Sequence, residues 1–189
     1  MNSPIFTAPT LPALDEGGYL LSVIERLLNS GQPGILSTVD AEGCPHARWM
    51  ATTSFDEFPH FYALTSPDSE KVAQIATHPM VSWMFSSPDL NLVVNLTGHA
   101  HMLLEDAETM KRIWRHIADK SRAYFLGSAS GPGFAVIETL VERVECTLPE
   151  KNRKYVFDPR LFRPNRKRIS TQPRSVCAGN RNCAVCECS

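Results

Sequence analysis

The chain has 189 residues, of which 43% are hydrophobic and 21% are charged, as in an ordinary soluble globular protein. It contains neither an apolar run approaching the roughly 20 residues of a membrane span nor an N-terminal secretory signal, so we expect a cytoplasmic protein with no membrane partner. The net charge of −1 divides into −9 over residues 1–150 and +8 over residues 151–189, so an acidic body precedes a basic tail.

The first two elements are an arm and a helix. Residues 1–18 contain three prolines and end in Gly17-Gly18, which predicts a loose N-terminal arm. Residues 19–30 repeat apolar side chains at helical spacing, and Gly31 marks the end of the pattern. We expect this helix to cover the core with its apolar face.

Three strand-like runs follow closely, at residues 35–39, 45–55 and 60–65. Turn residues separate them: Gly43 can take a positive φ, and Asp40 and Asp56 can bond their own backbone. Runs this close in sequence most simply pair as antiparallel neighbours, so we predict a meander.

The third run leads directly into a helix predicted over residues 67–77. Ser66 stands where an N-cap belongs, Pro67 occupies the first helical position, and His78-Pro79 ends the pattern. The free N–H groups of the first turn, together with the Thr65, Ser66 and Ser69 hydroxyls and the Lys71 ammonium, could bind an anion such as phosphate.

The remaining body alternates strands with one helix. Strands are predicted at residues 80–85, 91–104 and 134–148, with Gly98 as a bulge in the second. A helix from residue 107 to about 117 follows an N-cap at Asp106, and residues 128–133 form a glycine-rich loop. Residues 19–150 therefore predict one α+β domain with six antiparallel strands, which can close a small barrel, and flanking helices.

The C-terminal part is basic and then rich in cysteine. Residues 151–175 predict a basic linker or strap, with apolar side chains between 155 and 162 that could pack on the body. Residues 163–174 show no interleaving of aromatic and basic side chains and no DNA-binding motif, so we expect no nucleic-acid partner. Residues 176–189 form a cysteine-rich tail.

The four tail cysteines predict a metal centre. Their spacing is C-x5-C-x2-C-x-C, which matches no standard zinc-finger or ferredoxin run, yet four thiolates so close can hold one zinc ion or an iron–sulfur cluster. The alternative is an unstructured tail, either reduced or oxidised into adventitious disulfides. Metal analysis of anaerobically purified protein separates it from a metal centre. The residues are Cys177, Cys183, Cys186 and Cys188.

Other cysteines and histidines have plainer interpretations. Cys44 and Cys146 stand at strand ends and are expected to pack in the core. His99 and His101 alternate on one strand face, where they could bind haem iron or a metal; a half-exposed strand explains them as well.

These runs, in this order and spacing, resemble the flavin-binding split barrels of the pyridoxamine 5′-phosphate oxidase-like family, most closely its general stress protein 26 branch. The resemblance spans about residues 19–148 and rests on the stretches ILSTVDAEGCPHARWM, FYALTSPDSEKVAQIATHPMVSWMF, VNLTGHAHML and FAVIETLVERVE. It implies a split β-barrel that forms a homodimer and holds FMN in the groove between the two subunits.

The resemblance also implies a cofactor site. Arg48 matches the arginine that pairs with the FMN phosphate, Ser69 and Lys71 complete that phosphate site, and the segment after Arg48 follows the isoalloxazine edge. Physically, a dianionic phosphate favours a guanidinium fork, an ammonium and N–H donors at a helix start. The implied contacts are Arg48, Trp49, Met50, Ala51, Thr52, Thr53, Leu64, Thr65, Ser69 and Lys71.

Three departures from the family pattern limit the function. Glu70 stands where members often carry a second arginine, Thr53 replaces the lysine that true oxidases use near the substrate, and the C-terminal segment that binds pyridoxal substrates is absent. We therefore predict an FMN-dependent oxidoreductase of a small molecule that is not a pyridoxamine phosphate oxidase. The alternative is a non-catalytic flavin or haem sensor or a metal-binding stress protein; the substrate, the electron donor and the choice among FMN, a deazaflavin and haem stay open.

Overall fold

The computed structural model describes residues 10–55, 57–103, 107–116 and 134–162. Within these ranges the helices are α1 (Leu14–Asn29), α2 (Glu70–Thr77) and α3 (Ala107–His116). None of the described helices is both long and apolar enough to cross a membrane. The strands are β1 (Gly34–Val39), β2 (Pro45–Met50), β3 (Thr52–Thr53), β4 (His60–Thr65), β5 (Met80–Ser86), β6 (Val93–Leu103), β7 (Ala135–Leu148) and β8 (Arg153–Phe157).

The strands form one antiparallel sheet that curls into a barrel. Their spatial order is β2-β1-β5-β6-β7-β4-β3, and β8 also pairs with β7. The two ends of this order, β2 and β3, are separated in sequence only by Ala51. The sheet therefore closes through a single bent stretch of chain. This architecture confirms the α+β split barrel expected from the sequence.

The described strands number eight, where the sequence predicts six. The run at residues 45–55 divides because the chain changes partner at Ala51: Met50 lies opposite Gly34 on β1, whereas Thr52 lies opposite Ala63 on β4. β8 lies beyond residue 150, in the segment interpreted as a strap. Its Tyr155 and Phe157 are only 4% and 3% exposed and belong to the core, so the sheet continues past the predicted end of the domain.

Helix α1 begins at Leu14, inside the segment that the prolines and glycines predict to be a loose arm. Its buried face carries Leu20, Ile24 and Leu28. Gly17 lies on that face, where a Cβ would stand 2.3 Å from the ring of Phe162. Tight packing thus outweighs the low helix propensity of glycine, which is only a weak prior.

The turn before α2 differs from the prediction in its cap. The helix begins at Glu70 with Ser69 as N-cap, three residues later than predicted. The Ser66 carbonyl accepts hydrogen bonds from both the backbone N–H of Ser69, at 3.2 Å, and the Ser69 hydroxyl, at 2.8 Å. Such local serine bonds compete with helix formation, so Ser66 opens a turn rather than the helix.

The first strand turn follows the predicted chemistry. The Asp40 carboxylate accepts the backbone N–H groups of Glu42 at 3.1 Å and Cys44 at 2.8 Å, and Gly43 has φ +86°. Cys146 is buried as expected, but Cys44 is exposed because it belongs to this turn rather than to a packed strand end.

Two hydrophobic clusters hold the fold. The larger fills the barrel under α1, where the Trp83 ring stacks on Phe85 with centroids 6.1 Å apart and meets Phe61 edge-on at 5.1 Å. The smaller lies outside the barrel, where Ile113 of α3 packs on outward side chains of β4 and β7. The outer face is therefore covered where α3 lies.

The bulge expected at Gly98 is confirmed. The register between β6 and β7 shifts between Thr97 and Gly98. A Cβ on Gly98 would stand 1.9 Å from the carbonyl oxygen of Leu140, so this position needs glycine for space.

Candidate functional site

The candidate site lies where β2 meets the start of α2. β4 ends at Thr65, the chain turns through residues 66–69, and α2 begins at Glu70. Arg48 on β2 reaches the same place, since its guanidinium donates a hydrogen bond to Gln74 on α2. The structure thus brings together residues from three elements that the sequence predicts as one phosphate site.

The Arg48 guanidinium is held by two neutral oxygens. Its Nη1 donates to the Thr38 hydroxyl at 2.5 Å, and its Nη2 donates to Gln74 Oε1 at 3.1 Å. The Thr38 hydroxyl itself donates to Gln74 Oε1 at 2.5 Å. Thr38 and Gln74 are only 1% and 7% exposed, so the two side chains that hold the guanidinium have little freedom to move. We call this pair the anchor of Arg48.

Lys71 belongs to a second small network. Its Nζ donates to the Thr65 hydroxyl at 3.1 Å, and the hydroxyls of Thr65 and Ser69 lie 2.9 Å apart. Ser69 in turn donates to the Ser66 carbonyl at 2.8 Å. Three of the predicted site residues, Thr65, Ser69 and Lys71, are therefore in direct contact.

The two cations share one environment. Burial lowers the pKa of Arg48, and the charge of Glu70 partly opposes that shift. Burial also lowers the pKa of Lys71, and the positive charge of Arg48 lowers it further, while the charge of Glu70 opposes the shift. Neither forms an ion pair with a carboxylate in the part of the chain that the structure describes. Two half-buried, repelling cations favour an anion between them.

The other predicted contacts are placed differently. Met50 packs in the core, and Leu64 is buried beneath α3. Thr52 donates to the Leu28 carbonyl and Thr53 donates to Asn29 Oδ1, each at 3.0 Å, so both hydroxyls are bound to the end of α1. That Thr52 and Thr53 contact the flavin stays a prediction. With both hydroxyls bonded, the backbone of this segment is the part that would make the contact.

Trp49 and Ala51 complete the predicted segment. Trp49 is 72% exposed and stands opposite Ile35 on the outer face of the sheet. Ala51 is half-buried at the bend between β2 and β3. Arg48 and Trp49 thus point to opposite faces, as alternation along a strand requires.

Sequence reasoning missed Thr38 and Gln74. The signal for Gln74 was present: it follows Lys71 by three residues, hence lies on the same side of α2, and it is the polar residue within an apolar helical pattern. Thr38 carried no comparable signal, because threonine is ordinary in a strand.

The histidines of β6 lie on the outer face and pair with β7. His99 Nδ1 lies 3.1 Å from Glu142, and His101 Nε2 lies 2.8 Å from Glu138 Oε2, while His60 contacts the other Glu138 oxygen at 3.0 Å. Partial burial acts to raise the pKa of Glu138, but the hydrogen bonds from His101 and His60 bring that pKa down to about 2. This arrangement favours the half-exposed strand interpretation.

No group of three or more potential metal ligands is arranged around a common ion within residues 10–55, 57–103, 107–116 and 134–162. The four cysteines predicted to bind zinc or an iron–sulfur cluster lie outside these residues, so that hypothesis stays a prediction. They are Cys177, Cys183, Cys186 and Cys188.

Comparison with known proteins points to one family. A family model described as pyridoxamine 5′-phosphate oxidase matches residues 20–147. Among similar solved structures, a Clostridium acetobutylicum protein related to general stress protein 26 of B. subtilis has a TM-score of 0.64 and 15% identity; the match covers 77% of this chain and 99% of that one.

Two further structures extend this likeness. A candidate pyridoxamine 5′-phosphate oxidase from Listeria innocua is 28% identical with a TM-score of 0.52, over 66% of this chain and 95% of that one. A pyridoxamine 5′-phosphate oxidase-related, FMN-binding protein from Nostoc punctiforme is 16% identical with a TM-score of 0.57, over 72% of this chain and 85% of that one.

Proposed function

We propose that this chain, because it belongs to the pyridoxamine 5′-phosphate oxidase family, binds FMN and works as a cytoplasmic flavin-dependent oxidoreductase on a small molecule. The observation that carries the proposal is the pair Arg48 and Lys71, two half-buried cations with no carboxylate in contact among the described residues. A terminal phosphate would supply negative charge in direct contact with both groups. One similar structure is itself described as an FMN-binding protein, which supports the same cofactor.

The residues present suit the phosphate end of FMN. The Arg48 fork offers N–H donors beyond the two already bonded, and Lys71 adds a mobile point charge. The hydroxyls of Thr65 and Ser69 lie beside that ammonium, at the start of α2, where backbone N–H groups also favour an anion. A bound flavin would supply electron transfer of one or two electrons, while the protein orients it and sets its field.

The proposal excludes the pyridoxamine phosphate oxidase reaction itself. At the position where the resemblance expects a substrate-side lysine, the chain has Thr53, which is 4% exposed and bonded to Asn29. A buried, uncharged hydroxyl cannot replace an ammonium in contact with an anionic substrate. We therefore propose a different small molecule as the substrate.

The alternative is a protein that binds flavin or haem without catalysis, or a metal-binding stress protein. The histidines that favour haem, His99 and His101, each have one ring nitrogen against a glutamate. The flavin proposal has the stronger physical support because, among the described residues, Arg48 and Lys71 form no ion pair, whereas both histidines contact a glutamate.

The absorption spectrum of the purified protein tests the proposal. We expect a yellow protein that absorbs at about 450 nm, is bleached by dithionite and takes up one FMN per chain. A Soret band in place of the flavin band would favour haem. A colourless protein that binds neither FMN nor haem in titrations would contradict the proposal.

We also propose that the working unit is a homodimer. Trp49, Ile35 and Met84 stand side by side on the outer face of β2, β1 and β5, and Trp49 and Met84 are 72% and 41% exposed. Exposed tryptophan and methionine in one row are typical of interface cores. A second copy is the partner we propose, because the family resemblance implies a homodimer and this row is an exposed apolar surface on the sheet.

Substituting Trp49 tests the dimer. Wild-type protein is expected to sediment at twice the chain mass of 21.0 kDa, whereas Trp49→Asp is expected to sediment as a monomer at micromolar concentration, since a carboxylate would be desolvated in the interface. Leu90→Asp is the matched control, because Leu90 is 60% exposed in a turn. A wild-type protein of single chain mass would overturn the dimer.

A further inference from the structure

The hydrogen-bond partners of Arg48 are unusual for a half-buried arginine. Half-buried arginines usually pair with a carboxylate, because an unpaired charge is costly to desolvate. Here the partners are a hydroxyl and an amide oxygen, both neutral: Thr38 at 2.5 Å and Gln74 at 3.1 Å. The two groups that orient the guanidinium therefore add no negative charge to it.

The geometry makes Gln74 the centre of this anchor. Its Oε1 accepts from Thr38 and from Arg48 at once, so one oxygen links β1, β2 and α2. Gln74 is 7% exposed and Thr38 is 1% exposed, which limits the rotamers that either can adopt. Among the described residues these two acceptors use two of the five N–H groups of the guanidinium, which leaves three for a ligand.

We propose that Gln74 is a positioning residue for the phosphate of the cofactor, which it serves by fixing Arg48 without adding a negative charge beside it. This inference rests on the FMN-binding function proposed above. A glutamate of the same shape would hold Arg48 equally well but would cancel its charge, so the amide is what makes the site selective for a phosphorylated flavin. The quantity that Gln74 controls is the ratio of FMN affinity to riboflavin affinity, because riboflavin shares the ring and lacks the phosphate.

The test measures both dissociation constants by flavin fluorescence titration of the full chain. Gln74→Glu is expected to weaken FMN binding about 30-fold or more, since Arg48 becomes paired and the new carboxylate repels the phosphate. Riboflavin binding is expected to change by less than about 3-fold, because the ring contacts stay as they were. Gln32→Glu adds the same charge in the exposed loop after α1 and is expected to leave both affinities unchanged.

Conservative substitutions separate positioning from folding. Gln74→Met keeps the volume but removes the acceptor, and it is expected to cost FMN about 3- to 10-fold. Thr38→Ser keeps the hydroxyl and is expected to keep wild-type selectivity, whereas Thr38→Val is expected to lose part of it. A general defect in folding would lower FMN and riboflavin binding together, so the selectivity ratio identifies the positioning role even in a weakened variant.

The outcomes are distinguishable. If wild type binds FMN more tightly than riboflavin and Gln74→Glu retains that preference, the role of Gln74 is overturned while the flavin function stands. If wild type binds neither flavin, both proposals fail together. If the preference disappears in Gln74→Glu and survives in Thr38→Ser and Gln32→Glu, the assignment of Gln74 is confirmed.

Discussion

Replacing Arg48 by alanine is expected to raise the dissociation constant of FMN roughly 30- to 700-fold, or about 2–4 kcal/mol. The change removes charge-assisted hydrogen bonds to the phosphate and leaves Lys71 as the remaining cation among the residues that form the site. It also removes the hydrogen bonds that the Thr38 hydroxyl and Gln74 Oε1 accept from Arg48, while the bond between Thr38 and Gln74 can stay in place. Fluorescence titration of wild type and variant measures the effect.

Two controls sharpen this prediction. Arg143→Ala removes another strand arginine, which is 57% exposed and paired with Glu145, and should leave FMN affinity unchanged. Lys71→Ala should cost less than Arg48→Ala, because an ammonium gives a point charge rather than a planar fork. Equal FMN affinity in wild type and Arg48→Ala would place the phosphate elsewhere in the protein.

The largest effect on stability is expected from Gly98→Ala. The added Cβ would stand 1.9 Å from the Leu140 carbonyl oxygen and 2.9 Å from the Val141 Cα, and both are backbone atoms that cannot rotate away. The β6–β7 ladder would have to separate at the bulge. We expect the free energy of unfolding to fall by about 3 kcal/mol or more, as measured by urea denaturation.

Gly18→Ala is the matched control for that substitution. Gly18 lies within α1, and a Cβ there would meet no atom within 4 Å. Alanine is the better helix former, so this variant should be more stable than wild type by about 0.5–1 kcal/mol. A Gly98→Ala protein as stable as wild type would mean that the bulge can relax, contrary to a space requirement at this position.

Most of the fold could be predicted from the sequence because its strand runs are short, alternate clearly between apolar and polar residues, and are separated by turn residues. Residues 60–65 were predicted with the bounds that the structure shows, and the helix at residue 107 begins where expected. The start of α1 and strand β8 were missed for one reason. Each depends on a distant contact, Gly17 with Phe162 and Tyr155 with the core, that local propensity does not contain.

The candidate site was predictable only in part. Arg48, Ser69 and Lys71 follow from the resemblance, and the charge near the start of α2 agrees with the physics of phosphate binding. The sequence does not show which neighbouring element a side chain meets after the strand that carries it has bent. Thr52 and Thr53 therefore looked available for a ligand, although their hydroxyls are bound to the end of α1.

The strand order also determines when the barrel can form as the chain is synthesised. β7 pairs with β6 along one edge and with β4 along the other, where His60 lies opposite Leu140. Until β7 has left the ribosome, β4 has only the two-residue strand β3 beside it, and β6 has only β5. Two edges with unpaired backbone groups are open at the same time during that interval, and such edges are where nascent chains associate wrongly. Both edges close only when β7 is available to pair with β6 and β4.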